Sequence, residues 1–424
     1  MSEKLIYLLQ RILRRTWWRC TLFALFAVLA VILATVLGPY IAQDVALKMG
    51  SDSIDSLLNI LASSMLTVAI FSASTMVSSF GAVASSATPR ASQLLIEDTT
   101  VQNTLAAFIG AFIYSVIALV GLHAHVYGDG GRLVLFGFTL VVLVLVVIVL
   151  LRWIDYLSVL GRLGETIRRV ETATLRAMDQ RIAKPFLGGI RQHAGDRGAH
   201  EIMAPVPGFV LHVSMDLLQA QAERLDMRIF LHVLPGSFVE PGVPIMTSDR
   251  AVDTKSQAVL CGAVSIGPGR TFDHDPRFGL VVLGEIAARA LSQAVNDPGT
   301  SKDVMATAVK VFAYWTKALA QRDESPPAPE FDRIAVPGID QGGMVEDVFA
   351  PIARYGAGAV EIGIALQRAL RSLQWLEQDE IGAAAAKMSG YAMQRAVHAG
   401  LPEVDLDELR QNSGWSLAEQ GRTS

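Results

Sequence analysis

The run LVLFGFTLVVLVLVVIVLL, at residues 133–151, decides the fold class of this protein. It contains no ionisable side chain. At a helical rise of ~1.5 Å per residue, the run is about as long as the ~30 Å hydrocarbon core of a bilayer is thick. A helix of this composition has no charged face to turn toward water. The run therefore predicts a membrane-spanning helix.

Three further apolar stretches precede this run, at about 21–41, 57–83 and 105–122. A buried helix of a water-soluble protein can imitate one such stretch, but four of them near the amino terminus favour a four-helix transmembrane domain at 1–155. Hydrophobic residues make up 51% of the 424-residue chain and charged residues 18%, and most of the charges follow that domain. We therefore expect the lipid bilayer to be the main partner of the first 155 residues.

Lysine and arginine residues predict the orientation of these spans. One face of the membrane receives Lys4, Arg11, Arg14, Arg15, Arg19, Arg90, Arg152, Arg162, Arg168 and Arg169, whereas the other receives Lys48 and Arg132. Positive side chains near the spans stay in the cytoplasm. The distribution predicts a multi-pass protein with both termini in the cytoplasm.

The second span differs from the others because it is rich in hydroxyl side chains. The candidate pore-lining residues on it are Ser64, Thr67, Ser72, Thr75 and Ser79. Such hydroxyls bond to their own helix or to a neighbouring helix, which favours close packing of small residues. The alternative is a polar face along a water-filled path in an assembly of several copies. Because no span contains Asp, Glu, Lys or Arg, an ion-coupled transporter is disfavoured more strongly than a passive pore.

The pattern changes after the fourth span. Apolar residues at three- and four-residue intervals continue the helix as an amphipathic stalk at 156–186, whose apolar stripe needs an oligomeric bundle or a cytoplasmic domain as its partner. At 199–275, short apolar runs between Pro-Gly turns predict a small β-rich module that resembles the barrel-sandwich of biotinyl and lipoyl carriers. A helical cytoplasmic domain at 276–411 and a flexible tail at 412–424 complete the predicted fold, which is of the mixed class.

The sequence indicates no cofactor and no nucleic-acid partner. Residues 203–249 contain no lysine, which excludes covalently attached biotin or lipoate there, and a net charge of −4 gives no basic field for nucleic acid. Cys20 and Cys261 are too far apart in sequence to form a clustered zinc site. Serine-hydrolase, Walker A and dinucleotide-binding motifs are absent. We therefore assign no catalytic residue and no metal site.

Two polar clusters are candidates for binding a small anionic ligand. One contains Arg270, Asp275 and Arg277, and the other contains Asn296, Asp297 and Thr300. Arg–Asp pairs in the first cluster would also hold a loop in place before a helix, and its adjacent His and Asp residues do not converge on one metal ion. The second cluster has the composition of a helix N-cap, and a helix N-terminus also accepts anions.

Five motifs follow one another along the chain: SSATPRASQLL (85–95), LAAFIGAFIYSVIAL (105–119), PGSFVEPGVPI (235–245), GRTFDHDPRFGL (269–280) and ALSQAVNDPGT (290–300). In sequence and order they resemble a bacterial family of predicted integral membrane proteins, domain of unknown function 2254. The resemblance covers nearly the whole chain, but family members often carry a histidine just after the fourth span, where this chain has Ile154-Asp155-Tyr156. It implies a protein of the bacterial inner (plasma) membrane and supplies no activity.

Two hypotheses for the function remain. In the first, the protein is a non-enzymatic oligomeric anchor or a passive pore for ions or small solutes, lined by the second span. In the second, it is a membrane-anchored enzyme or sensor of an anionic ligand that uses the 270–277 loop and the 296–300 turn. A pore requires symmetric self-association, whereas an enzyme or sensor requires a concave pocket where the motifs meet.

Overall fold

The computed structural model describes residues 16–37, 51–96, 98–124, 126–323, 328–376 and 379–413. The chain forms two compact units. The first is drawn from the chain up to Ser85 and from Ser92–Arg162, and the second from Ser86–Ala91 and from the chain beginning at Leu163.

The amino-terminal part of the described chain is helical. Its helices are α1 Thr16–Leu37, α2 Ser51–Ser86, α3 Pro89–Ile96, α4 Thr99–His123 and α5 Asp129–Val159. Within the described residues, three stretches are long and apolar enough to cross a membrane: Ser53–Ser86, Thr99–His123 and Gly130–Val159. Helix α1 covers most of the first predicted span, and residues 38–41 of that span lie outside the described chain.

The four long helices share one apolar core. Ala34 of α1, Leu58 of α2, Tyr114 of α4 and Leu135 of α5 are all buried in it. The hydroxyl of Tyr114 lies 3.1 Å from Thr139 Oγ1, so the polar end of this buried ring has a partner. The helices therefore pack as a bundle rather than as separate rods.

The outer surface of α5 is as apolar as its buried face. Val141, Val144, Ile148 and Leu151 form an exposed stripe at three- and four-residue spacing. A helix in water would carry charged or polar side chains on such a stripe. Lipid is the solvent that suits this surface.

The helix expected to continue unbroken from the fourth span through 156–186 is interrupted. Helix α5 ends at Val159, and α6 begins at Leu163 and runs to Ala183. Between them Gly161 has a φ of +87°, a left-handed conformation that glycine adopts without steric penalty. The expectation of an unbroken helix is therefore wrong. Apolar residues recur at helical spacing on both sides of the break, so the sequence pattern does not reveal it.

In its described part, the second unit contains two small sheets. Their strands are β1 Gly189–Arg191, β2 His200–Met203, β3 Gly208–Val213, β4 Ile229–Leu231, β5 Phe238–Val239, β6 Pro244–Ser248, β7 Val264–Gly267 and β8 Phe331–Val336. One sheet has the strand order β1-β8-β4-β6-β2 and the other has the order β5-β3-β7.

The larger sheet departs from the layout expected of a barrel-sandwich at 199–275. Strand β8 lies within 276–411, which was predicted to be helical, and it pairs in parallel with β1 and β4. Its residues Ile334 and Val336 are fully buried in the core of the β-rich region. A single strand of six residues between long helices leaves little periodic signal, so its pairing could not be read from the sequence.

The remaining helices of the second unit are α7 Met215–Arg224, α8 Thr254–Gly262, α9 Pro276–Ala290, α10 Pro298–Asp323, α11 Gln341–Tyr355, α12 Val360–Gln374, α13 Asp379–His398 and α14 Glu403–Ser413. Helix α9 packs against α6, α10 and α11. A Cβ at Gly279 would overlap Thr174 Oγ1 of α6, and one at Gly284 would lie 2.6 Å from the carbonyl oxygen of Asp347 in α11. These two glycines bring α6 and α11 close to α9.

Candidate functional site

The 270–277 loop is held by one buried carboxylate. Asp275 is the N-cap of α9, and its Oδ1 accepts hydrogen bonds from the backbone N–H groups of Arg277, at 3.1 Å, and Phe278, at 3.2 Å. Its Oδ2 accepts a 2.7 Å bond from Arg270 Nε. Two of the three residues of the first predicted cluster are therefore paired with each other, and the pair fixes the start of α9.

The turn at Pro235-Gly236-Ser237 lies directly against this carboxylate. Gly236 has a φ of +95°, and a Cβ built on it would overlap Asp275 Oδ2. Only glycine meets both the backbone and the space requirement at this position. The structure thus joins two of the sequence motifs, PGSFVEPGVPI and GRTFDHDPRFGL, at one point.

Arg277 connects α9 to α11. Its Nε and Nη2 donate to the two carboxylate oxygens of Asp347, at 2.8 and 3.2 Å, and its Nη1 lies 3.3 Å from Asp340 Oδ2. Burial acts to lower the pKa of Arg277, but the hydrogen bonds and charge of Asp347 raise it on balance. Arg277 is therefore a fully charged residue whose fork already holds a carboxylate.

A cleft of about 380 Å³ opens beside the loop. Its charged and polar lining includes Arg181, His232, Ser237, Arg270, Asp275, Arg277 and Asp340. The volume falls within the ~300–1,000 Å³ that small-molecule sites occupy. The 270–277 loop thus borders a concave site, which is one of the two elements that the second hypothesis brings together.

Arg181 is the unusual residue of this cleft. It belongs to the buried stripe of α6, two helical turns after Thr174, and it is only 7% exposed. Its guanidinium donates no hydrogen bond to any residue that the structure describes. Burial lowers the pKa of Arg181 to about 10, and the charge of Asp275 opposes that fall. A guanidinium has five N–H donors, so this residue offers a strong and unused set of donors to the cleft.

Two histidines of the β-rich region are shifted toward the neutral form. Burial and the nearby charge of Arg197 lower the pKa of His232, whose Nε2 lies 3.1 Å from Thr247 Oγ1. Burial and His274 lower the pKa of His212, and the two rings are 5.1 Å apart. Among the described residues, no group of three or more His, Cys, Asp or Glu is arranged to hold a metal ion.

A second cleft, of about 450 Å³, shares Arg181 and residues 337–339 with the first. Its apolar lining comes from Pro185, Phe186, Trp315, Leu319, Pro337 and Ile339. Charged side chains also line it, namely Arg191, Arg322, Asp379 and Glu380. The indole nitrogen of Trp315 donates to Gln341 Oε1 at 3.0 Å, so its polar atom is already satisfied.

The turn that carries Phe186 is strained. Phe186 and Leu187 have φ values of 50° and 58°, and Gly188 follows at 85°. A non-glycine residue in this left-handed region costs about 1–3 kcal/mol, and such residues cluster at ligand sites and switch regions. The strain lies five residues after Arg181, on the wall of the second cleft.

The second predicted cluster lies elsewhere. Asp297 caps α10 by accepting bonds from the backbone N–H of Thr300, at 3.1 Å, and from its hydroxyl, at 2.6 Å. Asn296 has a left-handed φ of 48° that turns the chain into the helix. Asn296, Asp297 and Thr300 line neither of the two clefts, and the contacts described for them are those of a helix start.

The candidate pore-lining residues divide between two environments. Ser72 is buried, Thr75 and Ser79 are half-buried, and Ser64 and Thr67 are exposed. Thr67 and Thr75 donate to the carbonyl oxygens of Ser63 and Phe71 on their own helix, at 2.9 and 3.0 Å. The hydroxyl stripe therefore follows the edge of the buried face of α2.

Sequence reasoning missed Arg181, Asp340 and Asp347. The signal for Arg181 was present, because it follows Thr174 and Ala177 at seven- and four-residue spacing and so occupies an apolar stripe position. This signal is easily overlooked, because arginine is common in the last turn of a helix, where it interacts favourably with the helix dipole. Asp340 and Asp347 had no local signal, since their pairing with Arg277 depends on the packing of α9 on α11.

Comparison with known proteins identifies a family. No curated protein and no solved structure matches this chain. The family described as predicted membrane protein (DUF2254) matches residues 14–372, which is most of the chain and covers parts of both units. This confirms the resemblance carried by the sequence motifs, and the chain belongs to that family of membrane proteins of unknown function.

Proposed function

We propose that the protein is a membrane-anchored sensor of a small anion, which binds in the cleft beside the 270–277 loop. The supporting observation is Arg181, a buried guanidinium with no hydrogen-bond acceptor among the described residues. A charged side chain that is largely buried is stabilised when it gains a hydrogen-bonded counterion. An anion in the cleft would supply the missing acceptors, while Arg270 and Arg277, which are paired with carboxylates, hold the loop that borders the site.

In the proposed topology four helices cross the bacterial inner membrane, and both termini and the second unit lie in the cytoplasm. The support is the Lys/Arg distribution around the spans, together with the apolar α1. A carboxy-terminal green fluorescent protein should fluoresce, and a carboxy-terminal alkaline phosphatase should be inactive. The reverse pair of results would place the second unit outside the cytoplasm and overturn this topology.

The anion site is tested on the full-length protein in lipid nanodiscs. Titration calorimetry with acetate and with inorganic phosphate should detect binding of at least one of them, and Arg181→Gln should weaken that binding at least tenfold. Arg176→Gln is the matched control, because it removes an exposed arginine from the same helix. Binding that survives Arg181→Gln, or no anion binding to the unmodified protein, would refute the proposal.

A pore formed by self-association is the second candidate. The observation that favours it is the exposure of Ser64 and Thr67 on α2, which leaves hydroxyl groups on the outer surface of an apolar helix. In an assembly of several copies these groups would face a central path. Against it, Ser72 is buried within a single chain and cannot line such a path without rearrangement of the bundle.

Flux measurements separate this candidate from a simple anchor. If the pore exists, liposomes containing the protein should release a small ion, and Ser64→Leu with Thr67→Leu should reduce the release. Ile60→Leu is the control, since it changes an exposed apolar residue on the same helix. No release from liposomes containing the unmodified protein would dismiss the pore.

A further inference from the structure

We infer that the anion is a carboxylate joined to an apolar body, with the carboxylate on Arg181 and the body in the second cleft. The inference rests on the proposed anion site and adds the chemical class of the ligand. It follows from the charge balance of the first cleft, the lining of the second cleft and the residues that the two share.

The charge balance of the first cleft favours an anion with a single charge. Arg270 is paired with Asp275 at 2.7 Å, and Arg277 is held by Asp347 and Asp340. Among the described residues that line this cleft, Arg181 is the one arginine without a hydrogen-bonded carboxylate. A phosphate dianion or a polyphosphate would bring two or more negative charges to one unmatched guanidinium, beside the carboxylates of Asp275 and Asp340.

The donors suit a planar group. A guanidinium binds a carboxylate through two parallel N–H···O bonds, which gives geometry as well as charge. Ser237 adds a further donor, because its Oγ accepts the N–H of Leu234 at 3.0 Å and its hydroxyl proton has no acceptor among the described residues. His232 is shifted toward the neutral form and so does not add a second positive charge near neutral pH.

The second cleft suits an uncharged body. Phe186, Leu319 and Ile339 line it with apolar side chains, and Trp315 is satisfied at its only polar atom. Its arginines, Arg191 and Arg322, are balanced in number by Asp379 and Glu380. Burial of a ligand's apolar surface against these side chains would contribute favourable free energy there.

The two clefts meet at Arg181. They share this residue and the extended segment Pro337, Gly338 and Ile339, so the two clefts are direct neighbours. The left-handed turn then presents Phe186 to the ligand body. One elongated ligand can therefore contact both clefts, with its charged end fixed by Arg181.

A matched ligand series tests this inference by titration calorimetry on the full-length protein in nanodiscs. Hexanoate should bind at least tenfold more tightly than acetate, because each buried methylene contributes about fourfold in affinity. Hexanamide, which has the same body without the charge, should bind at least tenfold more weakly than hexanoate. Hexyl phosphate, which carries a second charge, should also bind more weakly than hexanoate.

Two substitutions locate the ends of the ligand. Arg181→Gln should abolish the difference between hexanoate and hexanamide. Phe186→Gly should reduce hexanoate affinity about three- to tenfold and leave acetate affinity unchanged, since glycine keeps the left-handed turn and removes the ring. If Phe186→Gly unfolds the protein, Leu319→Ser tests the same wall.

The outcomes distinguish this inference from the proposed function. Equal affinities for acetate and hexanoate, or tighter binding of hexyl phosphate, would overturn the carboxylate-with-body assignment while leaving an Arg181-dependent anion site in place. Binding of all these anions that is insensitive to Arg181→Gln, or no binding, would overturn both.

Discussion

Arg181 and Asp275 attract each other through space, but no hydrogen bond joins them. The oxygens of Asp275 are engaged by Arg270 Nε and by two backbone N–H groups at the start of α9. Asp275 therefore lowers the electrostatic cost of Arg181 without satisfying its donors. Asp275 therefore fixes the loop, whereas the donors of Arg181 remain available to a ligand.

The first prediction concerns the stability of the ligand-free protein. Arg181→Met keeps an unbranched apolar stem and removes the charge of a largely buried side chain, so we expect the free energy of unfolding to rise by about 1–3 kcal/mol. The same substitution should abolish anion binding. Chemical denaturation followed by fluorescence in nanodiscs measures the first effect. A loss of more than about 1 kcal/mol would mean that Arg181 is held by the fold itself.

The second prediction compares two Pro-Gly turns. Gly236 and Gly242 both have left-handed φ values, of 95° and 83°, but only a Cβ at Gly236 would meet Asp275. Gly242→Ala should therefore cost about 1–2 kcal/mol from backbone strain alone. Gly236→Ala should cost at least about 2 kcal/mol more, because it displaces the carboxylate that pairs with Arg270. Equal costs for the two substitutions, measured by denaturation, would refute the role given to Gly236.

The third prediction concerns the packing of α6 on α9. Gly279→Ala would drive a methyl group into Thr174 Oγ1, so we expect a loss of about 1–3 kcal/mol and weaker anion binding, since Arg181 lies on the same stripe of α6. Gly164→Ala is the control, because a Cβ there meets nothing within 4 Å. Adding Thr174→Ala to Gly279→Ala should restore part of the loss. Strict additivity of the two substitutions would count against direct contact.

The fourth prediction concerns pH. Burial lowers the pKa of both His212 and His232 in the folded protein, so below the ordinary histidine pKa of about 6.5 the unfolded chain binds more protons than the folded one. This contribution to stability is present above that pH and is lost as the pH falls through the folded-state values. The free energy of unfolding should decrease between pH 7.5 and pH 5. Denaturant titrations at pH values about one unit apart measure this decrease.

The histidine assignment has its own control. Replacing both His212 and His232 with Gln should flatten the decrease, whereas His200→Gln, at an exposed position, should not change it. If the double variant loses as much stability as the unmodified protein, other groups govern the acid response.

Sequence patterns were sufficient for the features that depend on local composition. The apolar run at 133–151 and the Asp297 cap before Pro298 are read from neighbouring residues, and the structure has a helix at each place. The pairing of Arg270 with Asp275 also lies within one short loop, so the loop could be proposed as a unit.

Long-range packing produced the features that could not be predicted. Arg181 is buried because α9 packs on the stripe of α6 that carries it, and β8 pairs as a strand because β1 and β4 flank it. The cleft itself depends on the approach of residues 337–340 to residues 232–237, which are about a hundred positions earlier in the chain. No window of sequence contains both sides of this site.

Because β8 lies between β1 and β4, the larger sheet cannot be completed until β8 has been synthesised. When the ribosome has made β4, its partner one hundred residues later does not yet exist, so the edge that β8 will cover stays open until Val336 has emerged. Unpaired strand edges promote aggregation. Chains released before that residue should therefore accumulate as aggregates or be degraded, and the Arg181 cleft cannot form until residues 337–340 have been made.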